Sequence, residues 1–295
     1  MRYGAVFPTT EIGKDPGAIR AWTAAVVDLG FERIVAYDHV LGAVHANREP
    51  ALWGPYTEFD EFHEPMVLFS FLAAITTDVE LVTGVVIAPQ RQAALLAKQA
   101  ADLDMLSNER LILGIGTGWN YVEYESLGTD YKTRARRMEE QVEVMRLLWT
   151  EQVVDFAGKY HRIDRAGIWP LPNRQIPVWF GGSAEPSVRR AARMGDGYIF
   201  GTTGPRVQNS LGILREELVA QGRSVDAFPT DAVVHLQRGR EVLEPEVAAW
   251  KETNPTWVSL STMANKLLTG DVPPINRVDA QIALLEQSLA WVKSL

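Results

Sequence analysis

Tyr37, Asp38 and His39 set a carboxylate beside an imidazole directly after an apolar stretch. Such a pair can tune a proton donor or acceptor near neutral pH. It is equally a turn cap followed by a histidine packed in a polar loop. Further along, Gly114, Gly116 and Gly118 alternate ahead of Trp119 and Asn120. A dinucleotide fingerprint wants glycine where Trp119 stands and follows the first strand of its unit, so that motif is rejected. Two readings remain, a flexible turn and a backbone that a flat ligand approaches closely. Gly181, Gly182 and Ser183 run into a helix start near Ser183, where free N–H groups and the helix dipole suit a phosphate. Ser183 with Glu185 in the first turn is also an ordinary N-cap. Gly84, inside the β-branched run VTGVV, marks a bulge or a close ligand approach. Lys132, Arg134, Arg136 and Arg137 form a basic cluster, either a solvated helix start or a holder for an anionic tail. The five histidines (39, 45, 63, 161 and 235) show no metal-ligand spacing, so no metal is expected.

These residues need a frame, and the order of elements supplies one. Short apolar strands are predicted at 3–7, 33–37, 80–87, 110–115, 176–180, 197–200, about 230–236 and 256–260. Helical spacing falls between them: Ile19, Trp22, Val26 and Leu29; a helix around 65–76; Leu96, Ala100, Leu103 and Leu106; Met138, Val142, Met145 and Trp149; helices near 183–195, 206–220 and 245–252; and Val278, Ile282, Leu285, Leu289 and Val292. Alternating strands and helices imply parallel strands covered by helices, and eight units fit an α/β fold of the (β/α)₈ TIM-barrel type. A doubly wound open sheet is the alternative. In a barrel, the candidates above lie where chemistry is expected, at the C-terminal strand ends. The loop from His45 to Glu64, with Trp53, Tyr56 and Phe59, is long enough for a lid or packs on the rim.

Composition narrows the function. The 295 residues are 46% apolar and 22% charged, as in an ordinary globular protein, and are read as one domain over 1–295. A net charge of −8 argues against nucleic-acid or anionic-membrane surfaces. Without cysteine there are no disulfides, thiolate metal sites or thiol nucleophiles, which fits a reducing cytoplasm. The N-terminus has no apolar signal-peptide core, and no apolar run approaches the roughly 20 residues of a membrane span.

Four segments together resemble the luciferase-like monooxygenase superfamily, in particular its actinobacterial branch of coenzyme F-420-dependent oxidoreductases. They are VAYDHVLG (35–42), ELVTGVVIAPQR (80–91), GIGTGWNYVEYESLG (114–128) and IPVWFGGSAEPSVRRAARMGDGY (176–198). The resemblance implies a bacterial luciferase-like barrel with a deazaflavin (coenzyme F-420), or alternatively FMN, at its C-terminal mouth, exchanging a hydride with a small organic substrate. Alternatives are an FMN-dependent monooxygenase fed by a partner reductase and a non-catalytic flavin or deazaflavin binder. It implies a cis peptide at Gly84-Val85 beneath the ring, Asp38 close to the ring, and His39 moving a proton. Phe7, Thr83, Gly84, Val85, Thr117, Gly118 and Trp119 are implied cofactor contacts, and Gly181, Gly182 and Ser183 the phosphate loop. Sugar-phosphate dehydrogenases of the superfamily carry Glu where Trp119 stands, which argues against a sugar phosphate and for an apolar or aromatic pocket. A homodimer is expected: in Ala93–Ala101 one of Leu95 and Leu96 faces the barrel and the other a partner, and Met66–Leu72 is apolar nearly all round.

Overall fold

The structure, a computed structural model, describes residues 1–182 and 184–295. Eight parallel strands close into a barrel: β1 (Arg2–Val6), β2 (Arg33–Ala36), β3 (Glu80–Thr83, resuming at Val86–Ile87), β4 (Leu111–Gly116), β5 (Val178–Gly181), β6 (Gly197–Phe200), β7 (Thr230–His235) and β8 (Trp257–Ser261). Each pairs with the next, and β8 pairs with β1. The outer ring is α1 (Pro16–Asp28), α2 (Pro65–Ala73), α3 (Ala93–Leu106), α4 (Arg134–Thr150), α5 (Glu185–Met194), α6 (Pro205–Ala220), α7 (Arg240–Glu252) and α8 (Val278–Ser294). The expected (β/α)₈ barrel is therefore present. Among the described residues no helix is long and apolar enough to cross a membrane.

Local chemistry starts the helices where the sequence places the caps. The Asp15 carboxylate accepts from Gly17 N at 2.8 Å ahead of Pro16, and the Glu64 carboxylate accepts from Val67 N at 2.8 Å ahead of Pro65. Strands are apolar along their length because both faces are buried. Outward residues such as Ala5, Ile34, Leu81 and Leu113 join the layer beneath the helices. Inward residues Val6, Val35, Val82, Ile112, Trp179, Ile199, Val233 and Trp257 fill the bore.

The N-terminal half of the bore is plugged. Arg33 ion-pairs with Asp231 at 3.0 Å and Glu80 at 2.6 Å, and its guanidinium lies 3.5 Å over the Trp257 ring. Ser259 donates to the same Asp231 oxygen at 2.7 Å. A ligand therefore reaches the bore only from the C-terminal end.

Three stretches differ from expectation. Strand three, read as continuous over 80–87, breaks at Gly84 and Val85, although the expected cis peptide between them is present. Between α4 and β5, where no strand is predicted, an antiparallel hairpin joins Val154–Ala157 to Arg162–Ala166. Between β4 and α4, where no helix is predicted, a short helix spans Tyr121–Ser126.

Candidate active site

Side-chain alternation decides what faces the C-terminal mouth. On β7, Ala232 and Val234 point outward while Asp231 and Val233 point inward, so His235 points inward. The same counting on the other strands turns Tyr37, Gly116, Gly181, Gly201 and Ser261 inward, and Gly84 faces the inward Val35. Four consecutive strands, β3 to β6, thus bring glycine to the top of the bore. A Cβ on Gly116 would lie 2.5 Å from Val85 Cγ2, and one on Gly181 2.7 Å from Val85 Cγ1. Val85 nests between them. Within the run Leu81–Gln90 only Gly84 and Val85 are partly exposed, and both open into the mouth. A Cβ on Gly201 would meet nothing within 4 Å. One half of the mouth is a shallow floor of backbone and one valine, suited to a flat ring.

Over the other half stands an aromatic group. The His39 ring lies 4.8 Å from Phe62, 5.1 Å from Tyr56 and 5.5 Å from Trp119. His45 meets the far edge of Trp119 at 5.9 Å, and Gly54 lays its backbone on the indole. The long loop therefore packs on the mouth through Tyr56 and Phe62, while Trp53 and Phe59 remain 78% and 85% exposed. His39 Nδ1 is 3.4 Å from an oxygen of Glu123, whose side chain is 1% exposed. The other Glu123 oxygen accepts from Val40 N at 2.7 Å and Leu41 N at 2.9 Å. Asn120 caps the same short helix and donates to Leu41 O at 3.3 Å. Glu123 was not among the candidates read from the sequence.

Asp38 is not brought to the mouth as a free acid. One oxygen accepts from Ile87 N at 2.9 Å and the other from Arg91 Nη2 at 2.7 Å. Burial pushes its pKa up, opposed by the Arg91 guanidinium. Its geometry is that of a pin joining β2 to the segment after β3. Arg91 is held in turn by Glu64 at 2.7 Å. The Thr83 hydroxyl is also spent, donating to Gly114 O at 2.7 Å. Phe7 faces away from the mouth, because Val6 points inward. Its ring stacks edge-on against Trp22 of α1 at 5.3 Å.

Thr117, Gly118 and Trp119 are partly exposed at the end of β4. Gly118 has φ +62, which favours glycine. At β5, Gly182 is exposed at the mouth, and Ser183 lies outside the described residues. Helix α5 opens at Glu185 rather than Ser183, and its N-cap is Ala184, which has no side-chain acceptor. In the basic cluster, the Arg134 and Arg137 guanidinium groups lie over Tyr131 and Tyr160 at 3.7 and 5.2 Å. Among the described residues no group of three or more His, Asp or Glu side chains is placed to hold a metal.

The sequence reading also passed over a set of buried groups. His235 Nδ1, Ser261 Oγ and Thr262 Oγ1 lack hydrogen-bond partners among the described residues. Buried polar groups without partners are uncommon and need an explanation. Beyond them, a cleft of about 1030 Å³ separates the loop after β1, the long loop and the segment after β8. It abuts the mouth through Tyr56, which lines it, and Thr10, whose hydroxyl reaches Met263 Sδ at 3.6 Å.

A family model described as luciferase-like monooxygenase matches residues 1–281. The chain belongs to this family. An uncharacterized protein of Mycobacterium tuberculosis is 34% identical over 186 residues, 60% of this chain and 64% of that protein, so the chain spans less than two thirds of that relative. An F420-dependent glucose-6-phosphate dehydrogenase of Nocardia farcinica is 31% identical over 216 residues, covering 69% of this chain and 62% of the dehydrogenase. Among solved structures, monooxygenase RslO1 from Streptomyces bottropensis superposes with a TM-score of 0.76 at 19% identity over 98% of this chain and 99% of that one, a likeness of fold.

Proposed function

We propose that this protein is an oxidoreductase that binds a deazaflavin, coenzyme F-420, at the barrel mouth and exchanges a hydride with a small organic substrate. The observation that carries the reading is the four-strand glycine floor lying beside His39. The fit to a flat ring rests on the cradle that a Cβ at Gly116 or Gly181 would crowd. The relation to an F420-dependent dehydrogenase at 31% identity favours the deazaflavin over FMN.

When bound, the deazaflavin supplies the carbon that gives or takes the hydride. The chain's own residues do the rest. Gly84, Val85, Gly116 and Gly181 support one face of the ring. Gly182 and the N–H groups opening α5, which have no side-chain cap among the described residues, suit an anionic tail. Glu123 orients Nδ1–H of His39, leaving Nε2 to hold or release the proton that accompanies the hydride. Asp38 fixes the β2 and β3 ends that frame the ring. Phe62, Tyr56 and Trp119 exclude water around His39.

Titration of the purified protein with coenzyme F-420 and with FMN tests this. Tighter binding of the deazaflavin is expected; a preference for FMN of about tenfold, roughly 1.4 kcal/mol, would move the assignment to a flavin-dependent monooxygenase. With the deazaflavin bound, His39→Ala is expected to lower turnover by about 10²–10⁴ with little change in cofactor affinity.

A further inference from the structure

His235 and Ser261 take no part in the proton and cofactor roles above. They are 3% and 0% exposed, and their Cα atoms are register partners on adjacent strands, so the two side chains stand next to each other inside the bore. Their hydrogen-bonding characters are set. His235 Nε2 donates to Gly201 O at 2.9 Å, which leaves the lone pair on Nδ1. Burial drives its pKa down to about 4, so the ring is neutral under ordinary conditions. Nδ1 accepts, and the Ser261 hydroxyl, beside the inward Tyr37 hydroxyl, can take the Tyr37 proton in a hydrogen bond and still has its own to give. A buried polar group left unpaired costs about 1–3 kcal/mol. One ligand atom that donates and accepts, an alcohol oxygen, satisfies both. A phosphate or carboxylate offers only acceptors and would set an anion against the Nδ1 lone pair.

The approach to the mouth has the same preference. Each of the cleft's three cations lies against a carboxylate: Lys14 with Glu61, Lys266 with Asp271 at 3.7 Å, and Arg277 with Asp279. Three more carboxylates line the cleft, so its wall is net negative. A wall of that sign repels anions and leaves no unpaired cation to receive one.

Resting on the reading of the mouth as a hydride-transfer site, we infer that the substrate is an uncharged alcohol. It enters through this cleft and is held by His235 Nδ1 and Ser261 Oγ, and phosphorylated substrates are excluded. In the bound state the alcohol O–H donates to Nδ1 and its oxygen accepts from Ser261; when the substrate is oxidised the same O–H turns to His39 Nε2, which takes the proton that accompanies the hydride.

Matched pairs test the inference: cyclohexanol against cyclohexyl phosphate, and benzyl alcohol against benzyl phosphate. Each is added to the deazaflavin-loaded protein while the imidazole nitrogens are followed by ¹H–¹⁵N spectroscopy. The alcohols are expected to shift the His235 Nδ1 resonance saturably, and the phosphates are not. Ser261→Ala and His235→Leu are expected to weaken alcohol binding by about tenfold, with deazaflavin affinity within about twofold. His235→Asn, which offers a carbonyl oxygen in place of Nδ1, is expected to restore most of the loss. Equal or tighter binding of the phosphates overturns the inference, as does silence of Nδ1 toward every alcohol. A shift produced by the deazaflavin alone and unchanged by alcohol assigns the pair to the cofactor and also overturns it. Failure to bind any flavin or deazaflavin sinks the functional reading instead; the alcohol and phosphate arms, repeated on the cofactor-free protein, still report the pocket's preference.

Discussion

Glu123→Gln separates what Glu123 does for His39 from what it does for the loop. In the parent, one oxygen takes Val40 N and Leu41 N, and the other faces His39 Nδ1 at 3.4 Å. In the variant the two backbone donors must still be met by an oxygen, so the amide NH₂ is turned toward Nδ1. Two donors then face each other, and the imidazole escapes by moving its proton to Nε2. The fold loses little. Two charge-assisted bonds become neutral ones, a change of about 1 kcal/mol each. Val40 and Leu41 are 40% and 43% exposed, so water recovers part of that. The expected stability cost is about 1 kcal/mol in total by urea denaturation. The functional cost is larger, because a proton carrier locked in the wrong tautomer loses about 10²–10⁴ in turnover. Long-range ¹H–¹⁵N spectra report the tautomer without any substrate. If His39 keeps its proton on Nδ1 in Glu123→Gln and turnover is unchanged, Glu123 serves only the loop and the orienting role is wrong.

Three further outcomes are expected. Gly116→Ala drives a methyl to 2.5 Å from Val85; it is expected to cost about 1–3 kcal/mol in urea denaturation, and adding Val85→Ala to recover much of it, whereas additive losses would show that the two sites do not share space. His235 has a folded pKa lowered to about 4 from 6.5, so the unfolded chain gains a proton that the fold refuses. Its contribution is complete above about pH 6.5 and is lost as pH falls toward about 4, roughly 3 kcal/mol at the acid end, and a parent and His235→Asn pair of equal pH slope would contradict this. On the outer face, Val67, Leu95 and Leu106 are 66%, 53% and 76% exposed along α2 and α3 while Leu96 is buried, so a homodimer is expected in light scattering and Leu95→Glu is expected to weaken it; a parent protein at 32.8 kDa would refute the contact.

The barrel was legible because strands buried on both faces must be apolar throughout, and eight such runs separated by helical spacing leave few architectures. Strand three misled only in its continuity, because a break inside VTGVV does not alter the apolar pattern; the cis peptide there is implied by the resemblance. Glu123 was hidden by its local context. Asn120 followed three residues later by glutamate reads as a capping box, and Asn120 does cap the helix. Glu123, however, crosses to Val40 and Leu41, more than eighty residues back along the chain, as no local rule foretells. Helix α5 starting at Glu185 likewise could not be told from a start near Ser183, since both offer an acidic first turn. Phe7 is different: once Val6 is inward, alternation alone turns Phe7 outward against Trp22.

That same alternation is the strongest sequence-level signal for the site, and it works by what is missing. A barrel bore is normally filled by bulky side chains in layers. Here the lower layers obey, with Val35, Val82, Ile112, Trp179, Ile199 and Val233. One step further along the chain direction, β3, β4, β5 and β6 all present glycine. Close packing makes an unfilled layer costly, because its walls lose their dispersion contacts. Val85, displaced into the gap by the break in β3, fills only the part between Gly116 and Gly181. Beyond Gly201 the space is open, and on the two adjoining strands His235 Nδ1 and Ser261 Oγ lack hydrogen-bond partners among the described residues. The top layer of this core is therefore incomplete in apolar contacts on one side and in hydrogen bonds on the other. A planar ring with a polar companion supplies both deficits at once, which neither water alone nor a single apolar ligand does.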